Sequence, residues 1–257
     1  VDLGLRDRSF VVGGASRGLG RAVAAALVDE GARVLMMSRG GSSLDEAAAA
    51  LGDRAVPLGI DMADPDLPRV VRAAVEEHFD GRLDGVLVNA GGPPPGNALS
   101  LTDEQWRGAY ELLIGGPIRL LRELVPLFGD EASVAFVASS SVRQPVPGLD
   151  TSNVFRPGVA ALVKVLAREL GPAVRVLGLA PGRIDTDRVE ELDTARAEAT
   201  GQPVQAVRDA AAAEIPLRRY GTPEEFGRVA AFLLSPAASY VSGSTVQVDG
   251  AAITALP

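Results

Sequence analysis

Two hydrophobic rhythms alternate along the chain. Short runs rich in aliphatic and β-branched residues predict strands at Phe10–Gly13, Arg33–Ser38, Ala55–Ile60, Gly85–Asn89, Val134–Ala138, Val174–Ala180 and Thr245–Asp249. Between them, apolar positions recur at helical spacing over Arg21–Glu30, Leu67–Phe79, Asp103–Phe128, Val154–Leu170 and Pro223–Ser235. Thr102 with Gln105 reads as a capping box, and Thr222-Pro223 as an N-cap followed by proline at the first helical position. Gly31 and Gly171 stand where a helix end wants a residue tolerant of positive φ. Several strands are almost continuously apolar, as in Val34-Leu35-Met36-Met37, which suits strands covered on both faces. The pattern predicts one doubly wound α/β domain over residues 1–257, built on a parallel sheet of about seven strands.

In such a domain ligands bind beyond the carboxyl ends of the strands. The Ala-, Glu- and Arg-rich stretch 187–214 breaks the strand–helix rhythm at that rim and reads as a substrate lid. The proline-rich run Gly91–Gly96 reads as a rigid loop on the same rim.

Composition narrows the partners. The 257 residues carry 25 Lys+Arg against 33 Asp+Glu, a net charge of −8, and no basic tract, which disfavours a general affinity for nucleic acid. No apolar run approaches the roughly 20 residues of a membrane span, and Val1–Arg8 lacks the character of a signal peptide. The expectation is a soluble, cytoplasmic protein acting on a small molecule, with neither nucleic acid nor membrane as partner. Cysteine is absent and histidine occurs once, which excludes disulfides and thiolate or histidine-rich metal sites, so no metal is expected.

The first strand runs into a helix through Gly14-Ala15-Ser16-Arg17-Gly18-Leu19-Gly20. Glycines at 14, 18 and 20 let the turn tighten, admit a pyrophosphate close to the backbone and point a helix N-terminus at its charge. At the end of the second strand, where an NAD-binding chain places an acid against the ribose 2′-hydroxyl, stand Ser38-Arg39. With Arg17, Arg39 offers two guanidiniums to a 2′-phosphate, so the cofactor is expected to be NADP(H).

These features, together with Asp61 after the third strand, Asn89-Ala90-Gly91 after the fourth and Pro181-Gly182 after the sixth, resemble the short-chain dehydrogenase/reductase family. The closing Tyr240-Val241-Ser242-Gly243 and Val248-Asp249-Gly250 are similar to that family's last strand, so the likeness spans nearly the whole chain. The resemblance implies a single Rossmann-type domain. It implies Asp61 and Met62 beside the adenine, Asn89, Ala90 and Gly91 shaping its pocket, and Ile184 and Thr186 on the nicotinamide side. A homodimer or homotetramer is implied in the same way.

The catalytic end departs from the family's Asn-Ser-Tyr-Lys tetrad. Counting back from Leu162–Leu170, the tyrosine position falls on Ser152 and the lysine position on Arg156. Ser139, thirteen residues before Ser152, takes the family's serine, with Ser140 and Ser141 as competitors, and Leu113 takes the asparagine. A phenol titrates near about pH 10 and donates a proton when a neighbouring cation lowers that value. A serine hydroxyl has no such acidity, and its oxygen lies about 4 Å nearer its own backbone. Arginine keeps the charge of lysine and can hold the nicotinamide ribose, but does not release its proton. Losing a general acid costs about 10²–10⁴ in rate.

The residues therefore point to an NADPH-dependent reductase whose acceptor needs no general acid, such as an iminium formed from a hemiaminal of a natural product or xenobiotic, in detoxification or self-resistance. Ser139, Asp150 or Ser152 would stabilise the cation or help expel hydroxide, against an apolar wall at Leu113. Two other readings stay open: a catalytically degenerate NADP(H)-binding sensor or scaffold, and a carbonyl reductase with a replacement acid at Tyr110 or Asp150.

Overall fold

Seven strands form one parallel sheet in the computed structural model, which describes residues 1–255. They are β1 (Ser9–Gly13), β2 (Arg33–Ser38), β3 (Ala55–Gly59), β4 (Leu83–Val88), β5 (Phe128–Val137), β6 (Val174–Pro181) and β7 (Thr245–Val248). Their order across the sheet is β3-β2-β1-β4-β5-β6-β7, and every neighbouring pair is parallel.

Alternation along each strand explains the continuous apolar runs. Phe10, Val12, Val34 and Met36 face the layer made by α1 (Gly18–Asp29), α2 (Ser42–Ala49) and α9 (Pro223–Leu234). Val11, Leu35 and Met37 face the opposite layer of α3 (Leu67–Phe79), α5 (Gly116–Leu124) and α6 (Asp150–Leu170). With both faces buried, a one-residue slip would exchange the two cores without exposing polar positions, so the register is held by side-chain shape and by the ladders. The strand order reverses between β1 and β4, and a doubly wound sheet opens a crevice beyond the strand ends at such a point.

Both expected capping boxes form, Thr102 with Gln105 at the start of α4 (Asp103–Tyr110) and Thr222 with Glu225 at the start of α9. Helix α2 was not anticipated; it is a single Ala-rich stretch of 8 residues. The expected helix over Asp103–Phe128 forms as one unbroken helical run to Leu127, but not as a uniform α-helix. It divides into α4, a π-helical turn over Glu111–Gly115, α5 and a 3-10 turn over Val125–Leu127, and Phe128 opens β5. Pro117 has no N–H to give, and a Cβ on Gly116 would sit 2.1 Å from the Met62 carbonyl oxygen, so the chain here is shaped by close approach to the loop after β3. Gly31 has the expected positive φ of 86°, whereas Gly171 after α6 is extended with φ −68°. Residues 187–214 form two helices, α7 (Asp187–Thr200) and α8 (Val204–Glu214).

Candidate active site

A cleft of about 750 Å³ opens at the carboxyl ends of β1, β4, β5 and β6. Its nucleotide end is the turn between β1 and α1. Gly14 adopts φ 60°, and a Cβ there would lie 2.7 Å from Asn89 Nδ2. A Cβ on Gly20 would lie 2.2 Å from the Gly14 carbonyl oxygen. Gly20 thus does not line the cleft as the spacing implied; it seats α1 against the back of the turn. Arg17 precedes α1 with an extended backbone and no side-chain cap, which leaves the first helical N–H groups for an anion.

The remaining residues expected at the nucleotide all lie on the cleft wall: Ser16, Arg17, Gly18 and Leu19 from the turn, Arg39 after β2, and Asp61 and Met62 after β3. Asn89, Ala90 and Gly91 follow from β4, and Pro181, Gly182, Ile184 and Thr186 from β6. Asn89 Nδ2 donates to the Gly13 carbonyl at 3.1 Å and braces the ends of β1 and β4. Asp61 accepts the Ala63 N–H at 2.8 Å, which fixes the loop after β3.

At the other end, Ser139 and Ser140 follow β5 onto the wall, with Ser152 and Arg156 from α6. The competition among the three serines resolves through a 3-10 turn over Ser140–Val142, which Ser139 caps by accepting the Ser141 N–H at 3.1 Å. Ser141 is turned inward and buried, its Oγ 3.2 Å from Ser152 Oγ. Arg156 is enclosed: Nη1 donates to the Val137 carbonyl, Nε has no partner, and burial lowers its pKa from the ordinary 12.5 to about 10. It remains a cation at neutral pH.

Two expected residues are elsewhere. Asp150 sits in the first turn of α6, where its carboxylate accepts the Ala98 N–H at 2.8 Å and the Asn153 Nδ2–H at 3.1 Å. It staples the loop after β4 to α6 instead of lining the cleft. Leu113 is buried behind the wall, and Leu112 lines the cleft in its place, because the π-helical turn displaces the helical register. Among the described residues the cleft wall contains no Tyr, Lys, His or Cys. Tyr110 lies outside it against Phe155, and the chain's single lysine, Lys164, lies beside Gly243.

Helices α7 and α8 close one side, with Arg188, Leu192 and Ile215 on the wall. Arg17 Nη1 lies 3.1 Å from Asp187 and 3.6 Å from Glu191. A second set of contacts pins α7 from behind. Asp193, 1% exposed, meets Arg183 at 2.6 Å and accepts the Tyr220 hydroxyl at 2.9 Å. The Arg183 and Arg208 guanidiniums lie over the Tyr220 ring, 5.6 and 4.9 Å from its centroid, and burial, followed by the Asp193 carboxylate, pushes its phenol up. This clasp was not read from the sequence, since its members are spread over four segments. Among the described residues no cluster of His, Asp and Glu is arranged for a metal ion, and no helix is long and apolar enough to cross a membrane.

A glycine turn at the reversal point of a parallel doubly wound sheet, with a helix N-terminus open to an anion, defines a dinucleotide-binding α/β protein. A family model described as enoyl-(acyl carrier protein) reductase matches residues 14–251. An uncharacterized oxidoreductase of Mycobacterium tuberculosis, MT0954, is 33% identical over 252 residues, covering 96% of this chain and 92% of its own. Human dehydrogenase/reductase SDR family member 4 is 30% identical over 257 residues, covering 96% and 87%. The crystal structure of L-sorbose reductase from Gluconobacter frateurii, complexed with NADPH and L-sorbose, superposes with a TM-score of 0.93 at 29% identity over 100% of both chains. The chain belongs to the short-chain dehydrogenase/reductase family, whose members are NAD(P)-dependent oxidoreductases.

Proposed function

We propose that this enzyme is an NADPH-dependent reductase of carbon–nitrogen centres, acting on hemiaminals or the iminium ions they yield. The observation that carries this reading is a cleft wall without Tyr, Lys or His among the described residues, in a site otherwise shaped for a dinucleotide. The two replacement acids that would favour ordinary ketone reduction lend that alternative no support: Tyr110 is outside the cleft and Asp150 is held by Ala98 and Asn153.

The site fits the cofactor. Gly14 and Gly20 stand where any Cβ would collide, the first N–H groups of α1 and Thr186 suit a pyrophosphate, and Arg17 and Arg39 suit a 2′-phosphate. When bound, NADPH supplies a hydride, so the balance is hemiaminal, NADPH and a proton giving amine, NADP⁺ and water. The residues of the chain would act on the departing oxygen. A carbinolamine carbon loses its hydroxyl with the electron pair of the C–O bond, and the buried Arg156 charge favours that developing anion. The Ser139 and Ser152 hydroxyls orient it with neutral hydrogen bonds, and Leu112 keeps water from the nitrogen-bearing carbon. Helices α7 and α8 would act as the lid. Reduction of a reactive hemiaminal to a plain amine would amount to detoxification or self-resistance.

The test is NADPH oxidation against matched panels of cyclic hemiaminals and of ketones, with NADH as control. Turnover of hemiaminals alone, with deuterium from labelled NADPH found on the carbon bearing nitrogen, is the expected result. Ketone turnover at a comparable rate overturns it, and silence on both panels with NADPH bound favours the sensor reading.

A further inference from the structure

We infer that Asp187 and Glu191 tune the cofactor affinity, by occupying Arg17 as an internal stand-in for the 2′-phosphate; this rests on the NADPH reading above. Both carboxylates approach the same nitrogen, Nη1 of Arg17, at 3.1 and 3.6 Å. All three side chains are half exposed, so the contact is an open ion pair of the kind worth about 0–1 kcal/mol. A phosphate monoester, with more charge and three acceptor oxygens, displaces such a partner readily.

Geometry makes the competition direct. The nucleotide turn and the start of α7 are in contact: a Cβ on Gly18 would lie 3.6 Å from the Thr186 methyl carbon. Asp193 ties α7 to Arg183 and Tyr220, which holds Asp187 and Glu191 against the turn in this arrangement. A phosphate reaching Arg17 must therefore take it from the two carboxylates. They do not bear this equally. Glu191 has a second cation at hand, Arg188 at 3.4 Å, whereas Asp187 pairs with Arg17 alone among the described residues. Once Arg17 turns to the phosphate, Asp187 is left as an uncompensated anion beside it, so Asp187 carries the larger share of the effect.

The experiment is a titration of NADPH and NADH by cofactor fluorescence, at low salt and near 1 M salt, on the wild type, Asp187→Asn, Glu191→Gln, Arg17→Ala and the Arg17→Ala/Asp187→Asn pair. Asp187→Asn should lower the NADPH Kd roughly two- to five-fold at low salt, more than Glu191→Gln does. The NADH Kd should move by a smaller factor. Near 1 M salt, where the screening length is about 3 Å, the gain should vanish. In the Arg17→Ala background, Asp187→Asn should no longer favour NADPH over NADH. Equal gains for both dinucleotides would assign the effect to the shared pyrophosphate and overturn the exchange, as would no gain at all. If the wild type binds NADPH no better than NADH, the underlying cofactor reading fails first, and the titration reports that separately. Circular dichroism on each variant separates lost binding from lost folding.

Discussion

Gly20 shows how much one missing methyl decides. A Cβ there would stand 2.2 Å from a backbone oxygen that has no freedom to move. Gly20→Ala is therefore expected to destabilise the chain by about 1–3 kcal/mol and abolish NADPH binding, measured by urea unfolding and fluorescence titration. Arg156 sets a second outcome. With its pKa lowered by burial only to about 10, it stays charged throughout the neutral range. Hemiaminal turnover, followed by NADPH oxidation, should therefore be flat from about pH 7 to 9, whereas a general acid titrating inside that window would give a falling limb there. The glycine turn was legible because its residues are local and its demands are steric. Asp150 was not, because its carboxylate answers to an N–H 52 residues away in sequence. Ser139 and Ser141 could not be separated by counting, since a 3-10 turn of 3 residues decides which one faces the cleft.

Among the elements, α9 carries the clearest pH signature. Glu225 closes its capping box, and Arg219, then the Thr222 N–H, hold its carboxyl near 2, against an ordinary 4.5. Because the folded value is the lower one, the stabilisation is complete above about pH 4.5 and is lost as pH falls through about 2. Glu225→Gln should flatten the acid-unfolding curve within that window and lower stability above it, where the charged carboxylate contributes fully, as read by urea unfolding across pH. Helix α7 depends on a different contact. Tyr220→Phe removes a hydroxyl from a buried carboxylate and should cost about 1–3 kcal/mol, with faster proteolysis confined to residues 187–214. The helical stretch from Asp103 was legible because α4, the π-helical turn and α5 share one apolar stripe, but the π-helical turn was not, because it changes the hydrogen-bond pattern at the glycine pair and Pro117 without disturbing hydrophobic spacing.

For the whole molecule, the parallel seven-stranded sheet and the cofactor end were legible because they follow from hydrophobic rhythm and one glycine turn, whereas the far wall depends on how remote loops are tied together. Val154 and Val165, eleven residues apart, lie on one exposed face of α6, each 56% accessible. That apolar face is where the expected homodimer or homotetramer would form, so sedimentation should report an assembly, and Val154→Glu with Val165→Glu should release monomers. The lining of the cleft has a further consequence. Iminium ions and the hemiaminals that generate them are electrophiles, and they alkylate thiolates, amines and imidazoles. A wall that offers none of these groups among its described residues, only weaker nucleophiles such as hydroxyls and carboxylates, would let an enzyme of the proposed kind hold such a reagent through repeated turnovers without being quickly consumed by it.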